Sequence, residues 1–259
     1  MTSDRPCWNV ALMFPIRDHN PSEKIPYVTY ALLAINIAVF LYGLAFVTTN
    51  AEINRLYYDY AMIPVRISAG ENYPSLVTSV FLHAGFMHLA GNMLFLYIFG
   101  DNIEDEMGHV PFLAFYLLCG VTAALAQYVA DPGSQIPTVG ASGAIAGVMG
   151  GYLLMFPKAK VDILLILVII FRIIPVPAFI MLGLWFGLQL VQSFGSDPNG
   201  GGVAYWAHSG GFIIGAILTV PLWLRRGGSA FWDRTEGHPP HPDAQYRWVK
   251  SSVPVVKRE

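Results

Sequence analysis

Six stretches of this chain are apolar over about the length that crosses a lipid bilayer, and no other feature constrains the fold so tightly. The hydrocarbon core is about 30 Å thick, so a helical span needs about 20 mostly apolar residues. The stretches are Tyr27–Thr48, Gly85–Ile103, Val110–Ala130, Val139–Phe156, Pro177–Phe194 and Val203–Leu224. Polar or helix-breaking clusters close four of them: Asp101 with Glu104, Asp105 and Glu106; Asp131-Pro132-Gly133; Pro157-Lys158; and Arg225-Arg226. The region Val161–Phe194 is long for one span. Arg172, Pro175 and Pro177 divide it, leaving Ile163–Phe171 as an apolar segment at the interface or against the bundle. A tight hairpin of two spans is the alternative and would move the C-terminus to the opposite side. Charged residues make up 12% of the chain, half the roughly 25% of a soluble domain. The expected fold class is an all-α membrane protein with six transmembrane helices.

Lysine and arginine set the orientation. With six spans, one side carries thirteen of them, among them Arg5, Arg17, Lys24, Lys158, Lys160, Arg172, Arg225 and Arg226; the other holds only Arg55 and Arg66. Both termini are therefore expected in the cytoplasm, with residues 1–26 as a polar segment, 27–224 as the membrane domain and 225–259 as a solvated tail. No cleavable signal or organelle presequence is expected, so the first span reads as an uncleaved anchor in a bacterial plasma membrane. Nucleic acid is not an expected partner, because no basic stripe is present. Cys7 and Cys119 make no disulfide framework, and Cys119 reads as a small core residue. His238-Pro-Pro-His241 lacks matching ligands at metal spacing, so no metal site and no cofactor is expected. A transporter is disfavoured by the lack of central charges and of an inverted repeat.

Polar residues are costly inside a membrane and are read first as functional. Here they recur in the first turns of the second, fourth and sixth spans: His88 and Asn92, then Ser142, then His208. These spans all run from outside to inside, so at about 1.5 Å per residue the groups share one level just below the outer surface. Ser142 is the candidate nucleophile. It lies among small neighbours, Gly140 and Gly143 included, at a helix start whose free N–H groups favour an oxyanion. His208 is the candidate base. Gly211 and Gly215 share its helix face and would meet Gly143 and Gly147, bringing His208 to Ser142. His88 and Asn92, at i and i+4, are candidate oxyanion donors, with His83 just above them. No carboxylate is placed to complete a triad; Asp131 and Asp197 fall in outer loops, so a Ser–His dyad is expected. Taken singly, each residue has a bland explanation. A membrane serine bonds its own backbone, paired glycines pack helices, and an asparagine bridges helices. Their conjunction at one depth is what shifts the weight.

These residues carry a resemblance to the rhomboid intramembrane serine proteases. It rests on His83 with His88-x-x-x-Asn92, on Gly140-x-Ser142-Gly143, on Ala207-His208-x-x-Gly211-x-x-x-Gly215, and on Gly100-x-x-x-Glu104-x-x-x-Gly108. The resemblance implies the six-helix rhomboid-like bundle and cleavage of transmembrane protein substrates within the bilayer. It implies Ser142 as nucleophile, His208 as base, and His88 with Asn92 as oxyanion-stabilising groups. In two places the chain departs from the pattern. Some members carry a tyrosine four residues after the serine, stacked on the histidine, where this chain has Ala146; the group that orients His208 is thus left open. The Trp-Arg pair of some members' first outer loop is also missing, with Arg55, Arg66 or the loop tyrosines as substitutes. Lateral entry between spans two and five would put Trp185 and Phe186 at a gate. The alternative reading is a catalytically silent rhomboid-like protein that binds membrane clients.

Overall fold

The computed structural model describes residues 12–167, 170–195, 202–240 and 242. The long helices are α1 (Tyr27–Phe46), α5 (Phe86–Met107), α6 (His109–Ala130), α8 (Ala178–Gly195) and α9 (Tyr205–Arg226), and a shorter one, α7 (Ser142–Met155), lies among them. Between α1 and α5 run α2 (Asn50–Tyr60), α3 (Pro64–Ser68) and α4 (Ser75–Thr78), the last continued by a 3-10 turn over Ser79–Phe81. Four of these helices are long and apolar enough to cross a membrane: α1, α6, α8 and α9. A fifth span arises if α4 with its 3-10 turn and α5, bent by 95° at the break, count as one. Their outer faces display Leu41 and Leu44 on α1, Leu118 and Val129 on α6, Leu184 and Val191 on α8, and Ile217 on α9. Water would penalise such a surface and lipid would not.

Helix α7 is the hub. Eleven of its fourteen residues are buried, so neighbouring helices surround it. At about 1.5 Å per residue it is about 21 Å long, shorter than the apolar stretch that contains it and short of the hydrocarbon thickness. Glycine and alanine on all sides of α7 let α5, α6 and α9 come close. The large side chains of the core, Phe99, Phe112, Tyr116 and Tyr152, fill the spaces between them.

The expected stop of the second span at its acidic cluster is corrected. Helix α5 continues through Asp101–Glu106 and ends at Gly108, whose φ of +83° suits a residue without Cβ. The cluster is spent on neighbours. Glu104, wholly buried, accepts hydrogen bonds from the N–H groups of Val28 (2.9 Å) and Thr29 (2.7 Å) and from the Thr29 hydroxyl (2.7 Å). Its Oε1, the oxygen that accepts from Val28, also lies 2.6 Å from His109 Nδ1. One carboxylate thus caps the N-terminus of α1 and ties it to the α5–α6 turn. Glu106 reaches Arg226 at the end of α9, with Nε 2.8 Å away.

The all-α expectation is also corrected. A three-stranded antiparallel sheet combines β1 (Leu12–Asp18), β2 (Lys160–Leu167) and β3 (Ile170–Pro177) in the order β1-β2-β3. The apolar segment after α7 is therefore a hairpin. Its Ile and Val content favours strand, and Pro175 and Pro177 forbid helix yet are tolerated on an edge strand. The register of β1 shifts between Pro15 and Arg17, where proline lacks a donor. Part of the polar N-terminal segment is thereby structured. Asp162 on β2 is gripped by Arg17 Nε (2.7 Å) and His19 Nε2 (2.8 Å). Burial alone would raise the Asp162 carboxyl; the bonds from His19 and Arg17 outweigh it and hold it below its ordinary value. The tail likewise begins with a docked helix, α10 (Ser229–Thr235), whose Phe231 is buried and whose Trp232 donates to the Leu154 carbonyl. Cys119 is a buried free thiol. Cys7, Asp197 and His241 lie outside the described residues.

The sheet meets the bundle at Asp18. Its Oδ2 accepts from the Tyr152 hydroxyl (2.7 Å) and from Asn102 Nδ2 (3.0 Å). Burial pushes the Asp18 carboxyl up to about 8; the Tyr152 bond opposes the rise and nearby Asp101 adds to it.

Two outcomes follow from these anchors. Glu104→Ala strands the buried donors of α1 and should cost about 3 kcal/mol in equilibrium unfolding in detergent; a loss below about 1 kcal/mol would contradict the capping role. Asp18 keeps in the fold a proton that the unfolded chain releases near 3.8, so its contribution to stability falls as pH rises from there towards about 8. Asp18→Asn abolishes that dependence. Its thermal midpoint relative to the parent should rise between about pH 5 and about pH 8.5, whereas a pH-independent offset would refute the assignment.

Candidate active site

The N-terminal ends of α5, α7 and α9 converge. His88 is the third residue of α5, Ser142 the first of α7 and His208 the fourth of α9. The convergence depends on backbone contact between α7 and α9. A Cβ built on Gly211 would lie 2.1 Å from the Gly143 carbonyl oxygen, and one on Gly215 would lie 2.0 Å from that of Gly147. The two glycine faces therefore meet with no side chain between them. At that separation His208 Nε2 reaches the Ser142 hydroxyl at 2.7 Å.

The other predicted residues gather on the near side. Gly140 has φ +123°, and its N–H donates to the Ser79 carbonyl at 2.9 Å, which fixes the loop entering α7. A Cβ at Gly140 would lie 2.7 Å from His88 Nε2 and Cε1, so the imidazole rests directly on this loop. The Ala84 N–H approaches His88 Nδ1 at 3.4 Å, which makes Nδ1 the acceptor and leaves the proton on Nε2. His88, Asn92, Ser142 and Trp185 line one open cavity of about 220 Å³, with apolar walls from Met87, Phe95 and Met149. One Asn92 amide proton is bonded to the His88 carbonyl of its own helix at 3.0 Å. His83 is buried with its ring centroid 5.1 Å from that of His88, and neither of its ring nitrogens has a hydrogen-bond partner among the described residues. At the start of α7 the first N–H groups have no intrahelical carbonyl, the arrangement that suits a ligand oxygen at a helix start.

Two contacts to His208 were not foreseen. Gln189 on α8, almost fully buried, places Oε1 2.7 Å from His208 Nδ1. The Trp185 ring lies 5.9 Å from the imidazole at an interplanar angle of 32°. Phe186, the other residue expected at a gate, stacks on Phe212 of α9 with ring centroids 4.5 Å apart. The signal pointing to Gln189 is its polarity within a largely apolar span, shared there with Gln192 and Ser193. Between α1 and α5, Arg66 packs over the Tyr58 ring at 3.8 Å and bonds the Tyr58 carbonyl, pinning α3 to α2. Among the described residues no cluster of three or more His, Cys, Asp or Glu could hold a metal ion.

Chemically, the arrangement is a hydroxyl whose proton has an imidazole acceptor, next to N–H donors, in a cleft otherwise apolar.

The Rhomboid domain family model matches residues 70–225, and the chain belongs to the rhomboid family. It is 30% identical over 227 residues to Rhomboid protease AarA of Providencia stuartii, covering 76% of this chain and 73% of that protein. It is 32% identical over 212 residues to Rhomboid protease GluP of Bacillus subtilis, covering 79% of this chain but 36% of that one. Rhomboid protein 1, mitochondrial, of Saccharomyces cerevisiae is 30% identical over 198 residues, covering 73% of this chain and 51% of that protein. The chain thus spans about half the length, or less, of several curated relatives. Family and apolar helices together define a multi-pass membrane protein.

The glycine contact is directly testable. Gly211→Ala places a methyl against the Gly143 carbonyl, forces α7 and α9 apart and should cost about 1–3 kcal/mol in unfolding experiments. It should also lengthen the Ser142–His208 contact in a solved structure of the variant. A stability and a contact both equal to the parent's would show that the helices are not held this closely.

Proposed function

We propose that this protein is an intramembrane serine endopeptidase that cleaves peptide bonds in or beside the transmembrane segments of other membrane proteins. The observation that carries this reading is the 2.7 Å contact between His208 Nε2 and Ser142 Oγ, with Ser142 lining an open cleft. In the proposed reaction Nε2 takes the hydroxyl proton as Oγ attacks the substrate carbonyl carbon. The oxyanion is held by the His88 Nε2–H, an amide N–H of Asn92 and the backbone N–H of Ser142. His208 then gives its proton to the leaving amine as the C–N bond breaks. Water admitted through the cleft hydrolyses the ester to Ser142 by the same exchange. Asn92 would release or share its intrahelical bond to serve the oxyanion, as its second amide proton already permits.

The same reading completes the topology. Helix α5, with α4 and the 3-10 turn, forms the second span and the short α7 the fourth, giving six spans over residues 27–224. Both termini lie in the cytoplasm, and the active site opens near the outer face. A helical substrate hides its carbonyls in intrahelical bonds, so cleavage favours segments that unwind locally. The lipid bilayer is both solvent and route of entry for such a substrate.

The test requires no known substrate. Purified protein in detergent should react covalently with a fluorophosphonate probe, and Ser142→Ala and His208→Ala should each lower the labelling rate by at least about 10³-fold. Labelling that survives Ser142→Ala would place the nucleophile elsewhere. A folded parent that does not label would favour the other class, a non-cutting binder of membrane clients.

A further inference from the structure

We infer that Gln189 is the positioning residue for His208: its amide oxygen holds the proton on Nδ1 and so keeps Nε2 free to accept from Ser142. This deepens the protease reading and rests on it for its catalytic consequence. The geometry itself stands on the two contacts of one ring. Nδ1 lies 2.7 Å from Gln189 Oε1 and Nε2 lies 2.7 Å from Ser142 Oγ, so the imidazole is bonded at both ends. An amide oxygen only accepts, so Nδ1 must donate. A neutral imidazole has one N–H, so Nε2 is then an acceptor, the state that a base towards serine requires. No carboxylate is needed for this selection. A neutral partner fixes the tautomer and the ring plane without adding a charge to an apolar site.

The surroundings make the contact a built one. Helix α8 buries only Ala178, Leu182, Gln189 and Ser193 of its eighteen residues. Their spacings of 4, 7 and 4 put them on one face. Two of the four are polar, and both meet α9: Ser193 Oγ lies 3.1 Å from Ser209 Oγ, one residue beyond His208. Ser193 also donates to the Gln189 carbonyl at 2.8 Å. Trp185, one turn before Gln189, lies beside the imidazole. The seat of α8 against the bundle therefore also orients the base. Displacing α8 outward would withdraw the acceptor from Nδ1, so the position of α8 and the tautomer of His208 are coupled.

The test uses full-length protein carrying ¹⁵N-labelled histidine in detergent micelles, with His208→Ala identifying the His208 signals. In the parent, His208 should be protonated on Nδ1 and bare on Nε2. Gln189→Leu, similar in size but without an acceptor, should move the proton to Nε2 in a substantial fraction of molecules. Gln189→Glu, which keeps an acceptor, should retain it on Nδ1. The fluorophosphonate reaction rate should fall about 10- to 100-fold in Gln189→Leu and be largely rescued in Gln189→Glu. With a cleavable substrate, kcat should carry the loss and KM should not. A parent His208 protonated on Nε2, or a Gln189→Leu variant with unchanged tautomer and rate, overturns the inference. Equal loss in Leu and Glu variants with the tautomer intact would reduce Gln189 to a packing residue and also overturns it. If Gln189→Leu does not fold, the parent spectrum and Gln189→Met decide. A parent that is inert to the probe defeats the protease reading alone, because the tautomer measurement needs no activity.

Discussion

The structure depends on the approach of two backbones. Where Gly143 and Gly147 of α7 face Gly211 and Gly215 of α9, carbonyl oxygens occupy the space that side chains would otherwise take. In a bilayer no hydrophobic force drives helices together, so close van der Waals contact and polar bridges must do so. The consequence is geometric. A short imidazole on α9 reaches a still shorter hydroxyl on α7 because the helix axes are nearer than larger residues would allow. The same closeness makes α7 a buried hub too short to need many polar anchors of its own.

Around that contact, isolated polar groups settle the remaining degrees of freedom. Glu104 gathers the first N–H groups of α1, the Thr29 hydroxyl and His109, thereby fixing three chain segments with one buried carboxylate. Asp18 joins the sheet to α5 and α7 through Asn102 and Tyr152. Gln189 and Ser193 join α8 to α9. Each anchor lies where apolar packing alone would leave a helix free to slide or rotate, since a greasy face has no preferred register in lipid. Helix α8 is held to α9 by these two side chains, while Leu184, Leu188 and Val191 lie exposed on its outer face. It carries Gln189, which is bonded to the proposed base, so the seat of this helix and the orientation of the imidazole go together.

Much of this was legible in the residues themselves. Apolar runs of bilayer length located α1, α6, α8 and α9 within a few residues, because span length is a property of the solvent and needs no knowledge of neighbours. The polar positions His88, Asn92, Ser142 and His208 stood out for the same reason. The sheet did not. Lys160–Leu167 and Ile170–Pro177 are as apolar as a span, and their pairing with Leu12–Asp18 joins residues well over a hundred positions apart. No local pattern encodes that partner. The acidic run Asp101–Glu106 reads as a helix stop because its partners, Thr29, His109 and Arg226, come from other segments.

The sequence by itself determined that this is a multi-pass membrane protein, which residues are too polar to sit in its spans without purpose, and which helix faces are small enough to touch. Each follows from transfer free energies and side-chain sizes, which belong to single residues. Only the tertiary structure decided that Gln189 meets Nδ1 of His208, that Asn92 turns one amide proton to its own helix, and that Ser142 opens α7 at the edge of a cleft. Those facts depend on distances of about 3 Å between helices. Such distances arise from how all the faces pack together, and no residue carries them alone.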